Sequence, residues 1–288
     1  WGKDSAAKQS KEVKRVEEYA NLKGIAATLR RHIISMVAAA NSGHPGGSLS
    51  AVEILTALYF KLMNIDVAQP RWQQRDIFVL SKGHASPVYY AALAERGFFP
   101  PEELLSFRKI NSRLQGHPDR ANIPGVDMTT GSLGQGLSAA NGMALAAKLD
   151  GQEQRCFYVL LGDGELQEGQ SWEAAMTAAH YALDNVIAFV DWNGLQIDGQ
   201  VSKVMNIAPL KDKFAAFNWH VQEIDGHDFD QIIAAVHQAK AAKGRPSVII
   251  ARTIKGKGVS FMENQAGWHG RAPGQEQAQQ ALKELEVE

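Results

Sequence analysis

Apolar positions along this chain follow two rhythms. Across Glu12 to Asn41 they fall at Val16, Leu22, Ile25, Leu29, Ile33 and Val37, mostly three or four apart, which predicts a long amphipathic helix. Elsewhere they gather in short runs: Asp76–Leu80 (DIFVL), Cys156–Leu161 (CFYVLL), Asn185–Val190 (NVIAFV), Val221–Ile224 and Ser247–Ile254 (SVIIARTI). Runs so short and so rich in β-formers predict strands, and Cys156–Leu161, ended by a glycine, reads as buried on both faces. Between them, helical spacing marks Ser50–Leu62, Ser86–Glu95, Pro101–Phe107, Leu137–Leu149, Ser171–Leu183 with Ser171 placed to cap, and Phe229–Ala242 capped by Asp228. Val201 to Phe217 is irregular, with a helix at its end. Residues 1–11 are polar and read as a loose lead-in, and 275–288 as a polar helix or frayed tail. The remainder, 12–274, predicts one α/β domain: a mainly parallel sheet with helices on both faces.

Strand, helix and strand succeed one another within Cys156–Val190, a βαβ unit whose two strands must run parallel. That topology governs the chemistry. Gly162-Asp163-Gly164 ends the first strand and Asp191-Trp192-Asn193-Gly194 the second, so Asp163 and Asn193 share the C-terminal edge of the sheet, where open α/β folds bind ligands. A carboxylate and a carboxamide offer hard oxygens to a cation such as Mg²⁺, which reserves its other positions for phosphate oxygens and water. Gly164 lets a backbone N–H approach an anion closely. A bare Gly-Asp-Gly is more often an ordinary turn. The helix, the second strand and Asn193 in register favour the ligand reading.

Histidines punctuate the loops. The first helix stops at Asn41-Ser42-Gly43-His44-Pro45-Gly46-Gly47-Ser48, where Gly43 can take a left-handed cap and Pro45 forbids continuation. Ser81-Lys82-Gly83-His84 follows the DIFVL strand, and Gly116-His117-Pro118 brackets a third imidazole. Imidazoles held in tight loops at strand ends suit hydrogen bonding to hydroxyls and phosphate near neutral pH. His227 also follows a glycine, but Gly226-His227-Asp228 reads as a structural turn before the Phe229 helix. Thr129–Gly136 (TTGSLGQG) is a glycine-rich loop leading into a helix full of small residues, which allows close packing within the domain or against another subunit. Lys255 and Lys257 in the Lys-Gly-Lys-Gly loop read either as phosphate binders or as surface charges.

Composition narrows the setting. The 288 residues are 45% hydrophobic with net charge −1, which gives no electrostatic footprint for nucleic acid or anionic membrane and leaves room only for local patches. One cysteine, Cys156, excludes a disulfide framework and suits a reducing cytoplasm. Ile33–Ala40 is too short to span a bilayer, and Trp1-Gly2-Lys3-Asp4 carries no signal-peptide pattern.

Together these words carry a resemblance. Gly162-Asp163-Gly164 followed, after twenty-eight residues, by Asn193 is similar to the thiamine-diphosphate motif. The SGHPG, SKGHAS, QGHP, TTGSLGQG and WHG words make the chain resemble the N-terminal, diphosphate-binding domain of transketolase over about residues 15 to 272. The resemblance implies that Asp163, Asn193 and the Leu195 carbonyl hold the metal, Mg²⁺ or else Ca²⁺ or Mn²⁺. It implies that thiamine diphosphate meets His84, Gly131, Ser132, Leu133, Gly162, Asp163, Gly164, Glu168, Asn193 and His269. It places His44, His117 and His269 beside the substrate. Many relatives have proline where Ser132 stands, a departure that loosens the loop without abolishing binding. The implied reaction is transfer of a two-carbon ketol unit between sugar phosphates, as in the pentose phosphate pathway. Full-length transketolases continue into a pyrimidine-binding domain that carries the activating glutamate and the phosphate-gripping basic residues. The resemblance therefore implies a C-terminal partner subunit, with self-association into two copies of each chain; the alternative is that this sequence is a piece of a single longer protein. Two rivals stand beside this reading: a diphosphate-binding subunit of a 2-oxo acid dehydrogenase or decarboxylase, and a binding subunit without turnover.

Overall fold

The computed structural model describes residues 2–286, and the side chains of 20–286. Trp1 and the end of the tail at Glu288 lie outside the described residues, and Val16 lies outside the described side chains. Five strands form one parallel sheet: β1 (Ile77–Leu80), β2 (Phe157–Gly162), β3 (Val186–Trp192), β6 (His220–Asp225) and β7 (Ser247–Arg252), in the spatial order β1-β2-β3-β7-β6. A small antiparallel hairpin, β4 (Leu195–Gln196) and β5 (Gly199–Gln200), follows β3. No apolar run announced it.

Because strand side chains alternate, each central strand feeds two cores. Phe78, Leu80, Tyr158, Leu160, Ile187, Phe189 and Ile249 face one side. There they meet α1 (Gly2–Ala40), α3 (Val52–Ala57), α4 (Ser86–Arg96), α9 (Phe229–Ala241) and α10 (Gln275–Glu284). Val79, Phe157, Val159, Leu161, Ala188, Val190 and Ile250 face the other. That side is covered by α5 (Gly136–Leu149), α6 (Gly169–His180) and α8 (Leu210–Ala216); the short α2 (Pro45–Leu49) and α7 (Val201–Val204) complete the helices. The predicted α/β architecture, with helices on both faces of a parallel sheet, is therefore observed.

Several boundaries differ from the sequence expectation. The first helix begins at Gly2, so residues 2–11 are helical instead of a loose lead-in. It ends with Asn41 in the left-handed region (φ 48°), the place expected for Gly43. Pro45 does not simply stop a helix: it opens α2, where its missing N–H costs nothing. The expected helix over Ser50–Leu62 is α from Val52 and turns π-helical over Leu58–Leu62. α6 starts at Gly169 with Glu168 as its N-cap, so Ser171 is an interior helical residue, buried, with an unpartnered Oγ. The inward stripe of α6 is Ser171, Ala174, Ala175 and Ala178, which leaves Met176 exposed. α10 shows the tail as a helix whose Ala278 and Ala281 are buried in the α1 core. Asp228 caps α9 as expected, accepting from the N–H groups of Asp230 and Gln231.

Candidate active site

Parallel register brings the expected residues together. Gly162 pairs with Asp191, so the loops that follow β2 and β3 emerge side by side. Asp163 bridges them: Oδ1 accepts from Gly164 N at 2.8 Å and Oδ2 from Gly194 N at 2.6 Å. Asn193 Oδ1 accepts from Leu195 N at 3.1 Å, and its Nδ2 donates to Asp191 Oδ2 at 3.2 Å. Burial and the nearby Asp191 carboxylate push the Asp163 pKa up, against the pull of its two backbone donors. A carboxylate in that position favours a cation beside it.

A cleft of about 280 Å³ opens here, lined by His84, Leu133, Gly162, Asp163, Gly164, Glu168, Asn193, Leu195 and His269 among others. Nine of the expected positions thus share one cavity. His44, His117, Gly131 and Ser132 lie outside its lining, along the same edge. Three imidazoles form a cluster: ring centroids are 5.2 Å apart for His44–His84, 5.4 Å for His44–His269 and 5.0 Å for His84–His269. His117 is exposed and packs by Gly131, where an added Cβ would come within 3.2 Å of its ring. Gly83 admits that loop, since a Cβ there would strike Gly131 N at 2.8 Å. Ser132 is exposed, and its Oγ accepts from Gln135.

The electrostatics of the cluster are decided by burial. It lowers the His44 pKa to about 4, helped by Arg108, His117 and Lys255, and the His269 pKa to about 3, helped by Lys255, His44 and Lys82. His84 is also held well below its ordinary value by burial first and Lys82 next. All three rings are therefore neutral at pH 7, each with one donor and one acceptor nitrogen. The Nδ1 atoms of His44 and His269 are buried without a partner. Unpaired buried polar atoms are costly, so these two point to a ligand that completes them.

The sequence reading gives no role to three charged groups here, Lys82, Asp191 and Arg108, and places a fourth, Glu165, only on the diphosphate side. Lys82 is buried, pairs with the buried Asp191 and donates to Gly47 O at 2.8 Å. Asp191 also accepts from Ser50 at 2.7 Å and from Thr253. Arg108, backbone in the left-handed region (φ 58°), donates to Ser42 Oγ at 3.0 Å and has a buried, unpartnered Nε. Glu165 is buried beneath the cleft, accepting from Ser81, Gly162 N and Gly134 N. The signals were present, since Lys82 sits in SKGHAS and Asp191 in DWNG. Nothing in one dimension says that those words meet. The two lysines left open by the sequence also separate. Lys255 is no surface charge: it is 2% exposed and its Nζ donates to Leu195 O at 3.1 Å. Lys257, by contrast, lies partly exposed against Glu263.

A parallel α/β sheet with an oxygen-donor pair, cationic side chains and glycine loops at its C-terminal edge defines a diphosphate-binding domain. A family model described as the thiamine diphosphate binding domain of transketolase matches residues 22–288. The 6-deoxy-6-sulfo-D-fructose transketolase subunit SqwG of Clostridium sp. (strain MSTE9) is 48% identical over 272 residues, covering 94% of this chain and 98% of its own. An apulose-4-phosphate transketolase subunit from Actinobacillus succinogenes is 43% identical, with coverage of 94% and 98%. Transketolase of Pichia stipitis in complex with sedoheptulose-7-phosphate superposes with a TM-score of 0.88 at 34% identity, over 92% of this chain and 40% of that one. The chain belongs to the transketolase family, as its N-terminal, thiamine-diphosphate-binding domain. It spans nearly the whole of the two subunits named above and under half of the single-chain transketolases. Among the described residues, no helix is long and apolar enough to cross a membrane.

Proposed function

We propose that this chain is the N-terminal subunit of a split transketolase, which moves a two-carbon ketol unit from a ketose phosphate to an aldose phosphate. The observation that carries this is the convergence of Asp163, Asn193 and Leu195 with three neutral imidazoles on one sheet edge. Carboxylate, carboxamide oxygen and backbone carbonyl fit a hard divalent cation such as Mg²⁺, Ca²⁺ or Mn²⁺. Among the described residues, no group of three His, Cys, Asp or Glu is placed to hold a metal, so diphosphate oxygens and water would fill the remaining positions. The unpartnered Nδ1 atoms and the glycine-lined cleft fit thiamine diphosphate equally well.

Thiamine diphosphate, when bound, supplies an acidic carbon whose deprotonated form is the nucleophile toward the substrate carbonyl. The chain's own residues do the rest. Gly164, His84 and the buried Lys255, which line the cleft, would hold the diphosphate, and Glu168 and the Gly131–Leu133 loop would border the rings. His44, His117 and His269 hold substrate hydroxyls: a neutral imidazole can donate to one oxygen and accept from another without carrying charge. The partial burial of His44 and His269 would strengthen their share of those bonds, while His117 lies exposed.

The partner would supply a pyrimidine-binding domain, and two copies of each chain would assemble, in the cytoplasm. The exposed Met176 and Tyr181 of the α6 region, beside the small-residue helix α5, support a self-association face there. The names of the similar subunits point to sugars ending in sulfonate or phosphate. The experiment is calorimetry on the chain assembled with such a partner. Asp163→Ala should abolish metal-dependent thiamine diphosphate binding while far-UV circular dichroism stays native. Undiminished affinity would sink the assignment. The chain alone should show no ketol transfer at saturating metal and cofactor, and adding the partner should restore it.

A further inference from the structure

A second cavity, of about 790 Å³, lies beside the N-terminal ends of β1 and β2, away from the edge that carries Asp163. Four arginines line it: Arg71, Arg75, Arg120 and Arg155. The single carboxylate in the lining, Asp127, is already committed, since it pairs with Arg75 and accepts from Phe78 N at 2.9 Å. Arg155 donates to Arg75 O at 2.7 Å and reaches Gln152 only at 3.4 Å. Among the described residues the exposed guanidinium groups of Arg71 and Arg120 have no hydrogen-bond or ion-pair partner. Arg75 also keeps a buried Nε without an acceptor. The lining holds four cations and one carboxylate, with the buried Asp76 carboxylate also acting on Arg155, and the remaining positive charge in a concave space calls for an anion. Burial first, and Arg75 second, lower the Arg155 pKa, against the opposing pull of Asp127 and Asp76.

The cavity is not merely cationic. Trp72 forms part of its wall and Ile77, Met128 and Met143 line it with apolar surface. Its volume falls within the range of about 300–1,000 Å³ typical of small-molecule sites. Guanidinium groups grip phosphate bidentately, and both they and an indole offer flat faces to an aromatic ring. Inorganic phosphate would leave the apolar wall uncovered, and an uncharged ring would leave the arginines unpaired. We propose that this cavity binds a nucleotide, with its phosphates on Arg71, Arg120 and Arg155 and its base against Trp72. The site is separate from the thiamine site and does not rest on the transketolase reading.

The test is calorimetry with ATP, adenosine and tripolyphosphate, on the chain alone and with its proposed partner. Excess thiamine diphosphate and Mg²⁺ are present throughout, so that the diphosphate cleft is filled. ATP should bind saturably, one per chain, in both preparations. Adenosine should give no detectable heat, and tripolyphosphate should bind at least about tenfold more weakly than ATP. The double variant Arg71→Ala/Arg120→Ala, altered only at exposed positions, should weaken ATP at least about tenfold and, in a separate titration with thiamine diphosphate as the only ligand, leave its binding unchanged. Equal affinity for ATP and tripolyphosphate would reduce the site to charge attraction and overturn the proposal. So would ATP binding that the double variant leaves intact. Binding by the chain alone that vanishes on assembly would also overturn it, and would make the arginines a docking face for an acidic segment of the partner.

Discussion

His227 and the His44–His84–His269 cluster look alike in sequence, since His44, His84 and His227 each follow a glycine in a loop, yet they are built oppositely. His227 is saturated: Nδ1 pairs with Glu53 at 2.8 Å, and Nε2 accepts from Ile254 N at 2.9 Å. Glu53 in turn binds the buried Arg30 at 2.5 Å, and Arg30 donates to Lys257 O at 3.1 Å. That network ties α1, α3 and the loops after β6 and β7 together, and both nitrogens of His227 and both oxygens of Glu53 are engaged within the fold. At the active edge His44 and His269 each keep a buried nitrogen with no protein partner. A saturated histidine holds structure, whereas one left unsatisfied in a cleft is held for something else.

The sharpest way to break this contrast is to cut each network. Glu53→Ala would strand a buried guanidinium, a loss of about 3–5 kcal/mol by analogy with other broken buried pairs. Chemical denaturation should show it, and His227→Ala should cost about 1–3 kcal/mol as its partners lose their bonds. Turnover per folded molecule should hold in both. His44→Ala, His117→Ala and His269→Ala should do the reverse in the assembled enzyme. Each is expected to lower kcat/KM by about 10²–10⁴-fold, the range for a positioned proton-transfer group, while the melting temperature barely moves. Normal kinetics with a collapsed melting temperature would make these residues structural and erase the distinction.

A pH series sharpens it further. Unfolded imidazoles titrate near 6.5, whereas His44 and His269 in the folded chain titrate near 4 and 3. Between those values the unfolded chain binds protons that the folded chain refuses, so stability should fall as pH drops from about 6.5 toward 4. The His44→Asn/His269→Asn double variant should lose less stability over that window, as read from denaturation midpoints. An identical pH slope in parent and variant would show that the rings are not held neutral. The smallest effect is expected at Lys257→Ala, within about 0.5 kcal/mol for a half-exposed pair and without change in cofactor affinity. Lys255→Ala, two residues earlier, should weaken thiamine diphosphate measurably in the same calorimetry.

Much of the site was legible because its words are local. Gly162-Asp163-Gly164 and Asn193-Gly194-Leu195 each lie at the end of an apolar run, and parallel pairing follows from the single helix between them. His44, His84, His117 and the Gly131–Leu133 loop were likewise marked by glycines that short turns require. Helix ends were read less well. Ser171 looked like a cap because serine caps helices, but the chain turns helical at Gly169 once Glu168 leaves the strand-end loop.

The alternation of apolar runs and helical stretches, together with the spacing of Asp163 and Asn193, fixed the parallel sheet and its ligand edge, because side-chain period and crossover length are properties of consecutive residues. Only the tertiary structure decided that Lys255 is buried beside Leu195, that Lys82 pairs with Asp191, and that His227 closes onto Glu53. Those partners stand between 60 and 174 residues apart along the chain. Whether a lysine is a surface charge or a buried cation depends on the dielectric and the counter-charge that folding brings to it, and neither is written in its neighbours.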